Sequence, residues 1–169
     1  PGINPLMLIY SVTPGSVPPD TWVPGAEGGG RNIGEACHFY DLFVMLAGAK
    51  ATSVQAATIR PRTAYYSKRD NFAAIITFAD GSVANLTYTA LGSPEFPKEQ
   101  LDVFVDGKVY SIKDFKGLSA KGADVTNAAA GKGHREELLA FGGADKNGGG
   151  WTSPHWPEGG AERIAIGVQ

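Results

Sequence analysis

The chain has a single cysteine, few charged residues and no long apolar run, and each shortage excludes a class of protein. Cys37 is the only cysteine among 169 residues, so an internal disulfide and a thiolate zinc cluster are both excluded. We therefore expect a reducing compartment, the cytoplasm. Charged residues make up 19% and the formal net charge is −2, which argues against a nucleic-acid partner. Because no run of about 18 apolar residues occurs, we expect no membrane-spanning helix and no membrane partner.

What remains is the composition of one globular domain. Hydrophobic residues make up 43% of the 169 positions, enough for one core but short for two domains. Residues 1–169 are therefore expected to form one domain. The chain begins with Pro1 rather than Met and enters an apolar segment at once, from which we expect it to be a piece of a longer protein.

Alternating apolar and polar residues predict a mainly antiparallel sheet. Two Asp-Gly pairs, at 80–81 and 106–107, each separate two alternating segments, which is the usual pattern of a β-hairpin. The predicted strands are 5–12, 53–60, 71–79, 82–91, 101–105 and 108–112. The first strand is apolar on both faces and is expected to be covered on both sides. Residues 113–130 are expected to be irregular.

Apolar residues at helical spacing predict one long helix, from about Arg31 to Ala47, with Gly48 at its C-terminal end. Its expected buried side consists of Ile33, Cys37, Tyr40, Phe43, Val44 and Ala47. Two further helices are predicted over 133–141 and after Pro157. The expected fold class is α+β, with an open, mainly antiparallel sheet and helices packed on one face.

Polar groups concentrate at the start of this helix, directly after three glycines at 28–30. Glu35, His38 and Asp41 follow at intervals of three, which places them along one side of a helix. An imidazole exchanges protons near neutral pH, and a carboxylate one turn away fixes its tautomer. Glu35 and Asp41 both qualify for that role. The alternative is a glycine-rich turn leading into a half-buried helix, with His38 hydrogen-bonded near the core.

Arg31 has two interpretations. Backbone N–H groups at a helix start hold anions, and Arg31 adds a fixed charge beside them, which favours a substrate phosphate or carboxylate. The other interpretation is a solvated arginine in the first turn.

The three glycines at 28–30 are not a dinucleotide-binding fingerprint, because no βαβ unit surrounds them. The histidines lie far apart in the sequence, so no metal site is expected: His38, His134 and His155.

Several ordered motifs are spread over residues 6–141. They are Gly28-Gly29-Gly30, Gly34-Glu35-Ala36-Cys37-His38-Phe39-Tyr40-Asp41-Leu42, Asp70-Asn71-Phe72, Phe78-Ala79-Asp80-Gly81-Ser82-Val83, Thr87-Tyr88, Phe96-Pro97-Lys98-Glu99 and Lys132-Gly133-His134-Arg135-Glu136-Glu137-Leu138. Together they resemble the C-terminal domain of Gfo/Idh/MocA oxidoreductases, most closely the branch found in bi-domain oxidoreductases. The resemblance implies a two-domain enzyme. An N-terminal Rossmann domain, absent from this chain, binds NAD or NADP, and the present domain supplies the substrate contacts.

The resemblance also implies roles for individual residues. Against the family pattern G-G-G-x-x-x-D-x-G-x-H-x-x-D, His38 and Asp41 match, whereas Gly34 stands at the position of the first Asp. His38 is then expected to exchange the substrate's hydroxyl proton while hydride passes to nicotinamide, and Glu35 to take the carboxylate role. The residues expected on the substrate side are Arg31, Trp22, Lys98 and Asp41.

The expected function is that of the substrate-binding domain of an NAD(P)-dependent oxidoreductase acting on a sugar, a sugar derivative or a cyclitol. The chain alone lacks a nucleotide site, so we expect it to bind no cofactor and to be inactive by itself. Its expected partners are a small-molecule substrate, its own Rossmann domain and further copies of itself at the sheet face. The alternatives are a non-catalytic assembly or ligand-binding module, and a domain of an NAD-dependent glycosidase.

Overall fold

The computed structural model describes residues 4–122 apart from 19, 24–29 and 64. A π-helical turn, Asn32–Ala36, leads into the helix α1, Cys37–Ala47, and a short 3-10 turn covers Lys68–Asp70. The strands are β1 Met7–Val12, β2 Ala51–Thr58, β3 Asn71–Phe78, β4 Val83–Thr89, β5 Glu99–Val105, β6 Lys108–Lys113 and β7 Leu118–Lys121. The helices predicted over 133–141 and after Pro157 lie outside the described residues.

The seven strands form one open sheet in the order β2-β3-β4-β1-β5-β6-β7. Only the pair β1–β4 is parallel; all the other neighbours are antiparallel. Both predicted hairpins are present, and Asp106 and Gly107 have φ angles of 48° and 74°, as a tight two-residue hairpin turn requires. The α+β class and the mainly antiparallel sheet with its helix on one face are confirmed.

Two predictions about the strands are wrong. Residues 113–130 were expected to be irregular, but Asp114 and Phe115 adopt the left-handed conformation and turn the chain so that β7 pairs with β6. The first strand was expected to be covered on both sides, but Met7 and Ile9 are 46% and 43% exposed. Their face is open because the described residues place a helix on the opposite face of the sheet only.

The core lies between α1 and that opposite face. Strand residues that point to the helix are fully or nearly fully buried: Leu8, Tyr10, Val12, Ala74, Ile76, Ala84, Leu86 and Tyr88. The Tyr10 ring packs on two helix residues, with its centroid 4.8 Å from that of Phe39 and 6.1 Å from that of Phe43. Burial of each large apolar side chain stabilises the fold by about 1.5–3 kcal/mol. The start of the helix is thereby fixed over one end of the sheet.

The π-helical turn changes which residues of this segment face the core. A π turn is wider than an α turn and interrupts the 3.6-residue period. Ile33 is 47% exposed and Cys37 is half-buried, whereas Ala36 and Phe39 are buried. The expected buried side is therefore wrong at Ile33, and Cys37 is only partly buried. It also leaves out Ala36 and Phe39, which are buried.

The helix ends at Gly48, as the sequence predicts. Gly48 adopts the left-handed conformation with φ 62°, and its N–H donates to the carbonyl oxygen of Val44. A side chain with a Cβ is strained in this conformation, so glycine is the favoured residue there.

Candidate functional site

The sheet register brings polar side chains from three strands to one end of the sheet. Val12, the last residue of β1, pairs with Tyr88 of β4 on one side and with Glu99 of β5 on the other. Residues directly opposite each other share a face, so all three lie on the face that α1 covers. Tyr10, two residues earlier, points the same way. These groups therefore lie beneath the start of the helix.

Tyr88 joins the sheet to the helix start. Its ring is fully buried and stacks on Phe72, with centroids 5.3 Å apart and planes inclined by 3°. The hydroxyl donates to Glu35 Oε2 at 2.5 Å and accepts from Arg31 Nη1 at 3.1 Å. Burial raises the pKa of Tyr88, and the adjacent Glu35 carboxylate raises it further. The hydroxyl therefore stays protonated and acts as a donor to Glu35.

The Glu35 carboxylate bridges Tyr88 and Lys98. Its second oxygen, Oε1, lies 3.1 Å from Lys98 Nζ, and Oε2 lies 3.9 Å from Arg31 Nη1. Burial opposes ionisation of Glu35, but the hydrogen bonds from Tyr88 and Lys98 and the nearby positive charges outweigh it and lower the pKa. Glu35 is therefore a carboxylate at neutral pH.

Lys98 is shared between two carboxylates. Besides the Glu35 contact, Lys98 Nζ lies 3.9 Å from Glu99 Oε1, and the Lys98 side chain is half exposed. Glu99 itself is buried and accepts a hydrogen bond from the Tyr10 hydroxyl at 2.9 Å. This connected set is called the polar cluster below, and its members are Arg31, Glu35, Tyr88, Lys98, Glu99 and Tyr10.

Arg31 is an internal member of the cluster. It is only 7% exposed, and its guanidinium carbon lies 6.0 Å from the centroid of the Tyr88 ring. Burial raises the pKa of the nearby Asp70, and the positive charge of Arg31 opposes that rise. The interpretation of Arg31 as a solvated arginine is wrong, because it is buried against Tyr88 and the carboxylates.

His38 and Asp41 both lie on the exposed side of α1, one turn apart. Within the part of the chain that the structure describes, no hydrogen bond joins Glu35 to His38, because the Glu35 carboxylate is bound to the cluster. The exposure of His38 also excludes the alternative in which its ring is hydrogen-bonded near the core. Trp22, in the connection before the helix, is 69% exposed. Of the three glycines at 28–30, the first two lie outside the described residues.

A cleft of about 690 Å³ opens beside Lys98. It lies between the segments that follow β1 and β4 and the segment that precedes β5, and its walls include Thr13, Ser16, Tyr66, Phe96, Lys98 and Glu99. Because Lys98 belongs to both the cleft and the polar cluster, the cleft leads directly to the start of the helix. The expectation that Lys98 lies on the substrate side stays a prediction.

Tyr10 and Tyr88 were not predicted from the sequence to be members of the site. The available signal was a tyrosine at an inward-facing strand position, where a buried hydroxyl needs a partner.

In residues 4–122, excluding the gaps, no group of three or more metal-ligating side chains is placed to hold an ion. None of the helices described is long and apolar enough to cross a membrane.

The sheet order, the helix on one face and the polar cluster at the helix start define an α+β domain with charged and hydroxyl groups gathered at one end of its open sheet. The sequence identifies the family. Residues 5–137 match the Gfo/Idh/MocA family described as "Oxidoreductase family, C-terminal alpha/beta domain", and the chain belongs to that family. A comparison with curated proteins finds no match.

Solved structures share the fold at low sequence identity. UDP-N-acetylglucosamine 3-dehydrogenase GnnA from Acidithiobacillus ferrooxidans has a TM-score of 0.61 and 18% identity, covering 98% of this chain and 53% of its own. The WlbA dehydrogenase from Bordetella pertussis, in complex with NADH and UDP-GlcNAcA, has a TM-score of 0.63 and 15% identity, and the match covers 98% of this chain and 51% of that protein. Levoglucosan dehydrogenase, in complex with NADH and levoglucosan, has a TM-score of 0.67 and 18% identity, and the match covers 98% of this chain and 57% of that protein. The chain thus spans about half the length of these proteins.

Proposed function

We propose that the chain is the substrate-binding domain of an NAD(P)-dependent oxidoreductase that acts on a hydroxyl group of a sugar, a sugar derivative or a cyclitol. The family membership supports the reaction class. The length of the similar structures supports a second, N-terminal Rossmann domain. The observation that carries the proposal is the position of His38. It is exposed on α1, three residues after Glu35, whose Oε1 lies 3.1 Å from Nζ of Lys98, a residue that lines the cleft.

The described residues do not themselves form a dinucleotide site. Such a site needs a strand that leads through a tight glycine-rich turn into a helix, whereas a long connection separates β1 from the start of α1. NAD or NADP, held by the Rossmann domain, would supply the hydride acceptor. The contribution of this chain is to bind the substrate and to transfer the proton.

In this proposal His38 accepts the hydroxyl proton, because an exposed imidazole is suited to a general base near neutral pH. Asp41, one turn further along the same exposed side, contacts the substrate. Lys98 binds the substrate from the cleft, and Trp22 offers an exposed aromatic surface. Arg31 and Glu35 act as positioning residues, since both are bound to Tyr88.

The full-length protein tests the role of His38. His38→Ala is expected to lower kcat by about 10²–10⁴-fold, the usual contribution of a general base. Because His38 is exposed, the free energy of unfolding should change by less than about 0.5 kcal/mol. Met45→Ala is the matched control, since Met45 is also exposed on α1, 40%, and has no proposed role. Unchanged turnover in His38→Ala would remove His38 from the mechanism.

Product analysis with NAD separates net oxidation of the substrate from the alternative reaction, cleavage of a glycosidic bond.

We further propose that copies of the chain associate through the uncovered face of the sheet. Four exposed apolar residues lie there: Met7, Ile9, Ile75 and Phe104. Met7 pairs directly with Phe104, and Ile9 and Ile75 both pair with Asn85 of the strand between them. A contiguous exposed patch of this kind favours a protein contact. This face also suits the alternative of an assembly module, which would show association without turnover.

A further inference from the structure

We infer that Thr13 is a positioning residue for Lys98: it holds the backbone beside Lys98 and thereby directs the Lys98 ammonium group to the substrate in the cleft. This inference rests on the proposed function, in which Lys98 binds the substrate from the cleft. It adds a residue that acts on the reaction through Lys98.

Lys98 can serve the helix start and the cleft at the same time. Its side chain is half exposed, and it is the only cationic side chain among the described residues that line the cleft. An ammonium group has three N–H donors. One is directed to Glu35 Oε1 at 3.1 Å, whereas Glu99 Oε1, at 3.9 Å, is beyond hydrogen-bond distance. Within the described residues Lys98 therefore keeps donors for a ligand in the cleft, and their direction depends on where its backbone lies.

Thr13 holds that backbone with two hydrogen bonds. It follows β1 directly, and its backbone N–H donates to the Lys98 carbonyl oxygen at 2.8 Å. Its side-chain hydroxyl donates to the Pro97 carbonyl oxygen, also at 2.8 Å. The first bond continues the pairing of Val12 with Glu99 and is available to any residue except proline. The second bond requires a hydroxyl, and it fixes the residue just before Lys98.

The Thr13 side chain is itself held by the segment that follows β4. A Cβ at position 92 would lie 2.9 Å from Thr13 Cβ and 3.0 Å from Thr13 Cγ2, closer than two carbon atoms pack. Gly92 therefore lets this segment approach Thr13 directly. Because the contact restricts rotation of the Thr13 side chain, the hydroxyl stays directed to Pro97.

The residue after Lys98 is fixed from the opposite side. The Asp114 N–H donates to the Glu99 carbonyl oxygen at 2.8 Å, and Asp114 Oδ1 accepts from the Glu99 N–H at 3.1 Å. Asp114 does so with a φ angle of 48°, which is uncommon for a residue other than glycine and persists where the surroundings require it. Lys98 is thus held on both sides, and loss of the Thr13 hydroxyl releases only the side of Pro97.

Thr13→Val tests the inference, because it removes the hydroxyl and keeps the branched shape and the backbone N–H. The full-length protein is assayed with glucose, myo-inositol, glucuronate and UDP-glucose, each with NAD+ and with NADP+, and the compound that is oxidised fastest is the probe. We expect Thr13→Val to raise KM about two- to tenfold, as loss of one neutral hydrogen bond predicts, with kcat unchanged. Thr13→Ser keeps the hydroxyl and should restore KM. Thr52→Val is the matched control, because the Thr52 hydroxyl donates to the Thr77 carbonyl oxygen at 3.1 Å and Thr52 does not line the cleft; its KM should not change.

A double-mutant cycle with Lys98→Met separates positioning from a general structural role. Lys98→Met alone should raise KM about ten- to hundredfold, because a hydrogen bond from a charged group is lost. In the Lys98→Met background, Thr13→Val should have no further effect on KM. Circular dichroism checks that each variant folds, and Lys98→Gln takes the place of Lys98→Met if that variant does not.

The outcomes separate this inference from the proposed function. An equal effect of Thr13→Val with and without Lys98 would overturn the inference, since Thr13 would then act on the substrate or the fold directly. Substrate oxidation with an unchanged KM in Thr13→Val or in Lys98→Met would also overturn it and leave the proposed function standing. Oxidation of none of the four compounds would count against both.

Discussion

Replacing Tyr88 with phenylalanine removes one hydroxyl from the centre of the polar cluster and leaves the ring in place. The ring can keep its stack on Phe72, since that contact does not involve the hydroxyl. Two contacts are lost: the hydrogen bond to Glu35 at 2.5 Å and the one from Arg31 at 3.1 Å. The loss of stability in Tyr88→Phe therefore measures how much these two hydrogen bonds contribute to holding the start of the helix on the sheet.

The expected cost follows from the partners that are left behind. A hydrogen bond to a charged group contributes about 1.5–3 kcal/mol, and here both partners are charged. Water can reach Glu35, whose side chain is 29% exposed, but Arg31 is buried and loses a partner that water cannot readily replace. We expect the free energy of unfolding to fall by about 2–4 kcal/mol, a large part of the roughly 5–15 kcal/mol typical of a domain.

Tyr40→Phe is the matched control. Tyr40 is also fully buried, and its hydroxyl donates to the neutral Asn32 Oδ1 at 2.7 Å, so its loss should cost about 1 kcal/mol. Urea denaturation followed by far-UV circular dichroism gives both values. If Tyr88→Phe were no more destabilising than Tyr40→Phe, the charged cluster would not be what fixes the helix start.

Two further outcomes follow. The pKa of Glu35 is lowered from 4.5 in the folded state, so its ionised form stabilises the fold above pH 4.5 and this contribution is lost as the pH falls through the lowered pKa. Glu35→Gln should therefore be destabilised at pH 7 and show a shallower loss of stability below pH 4.5 in urea denaturation; an acid limb identical to that of the wild type would contradict the assignment. Ile9→Asp places a charge on the uncovered sheet face, where Ile9 is 43% exposed, and should convert an oligomer to a monomer in sedimentation experiments. A wild-type chain that is monomeric at high concentration would refute the interface.

The fold was predictable where the determinants are local. The Asp-Gly pairs at 80–81 and 106–107 are adjacent in sequence and fix both hairpins, and apolar periodicity fixes α1 with Gly48 at its end. β7 was missed because it is short, four residues, and depends on a turn in which Asp114 and Phe115 adopt positive φ angles. No local pattern of apolar residues indicates that turn.

The site was predictable only in part, because it depends on long-range pairing. Arg31, Glu35 and Lys98 were identified from the helix start and from motif resemblance. Their connection through Tyr88 depends on the parallel pairing of β1 with β4 and on the neighbouring β5, which no local spacing indicates. The π turn directs Glu35 to the cluster while His38 stays exposed, whereas a regular helix was expected to place both on one side.

A crystal structure of the full-length protein with NAD or NADP and a sugar or cyclitol that it oxidises tests the central claim most directly. We expect the ligand ring in the cleft beside Lys98 and a His38 ring nitrogen within about 3.2 Å of the hydroxyl that is oxidised, the range of a productive proton transfer. A ligand bound elsewhere, with His38 facing bulk solvent, would contradict the account.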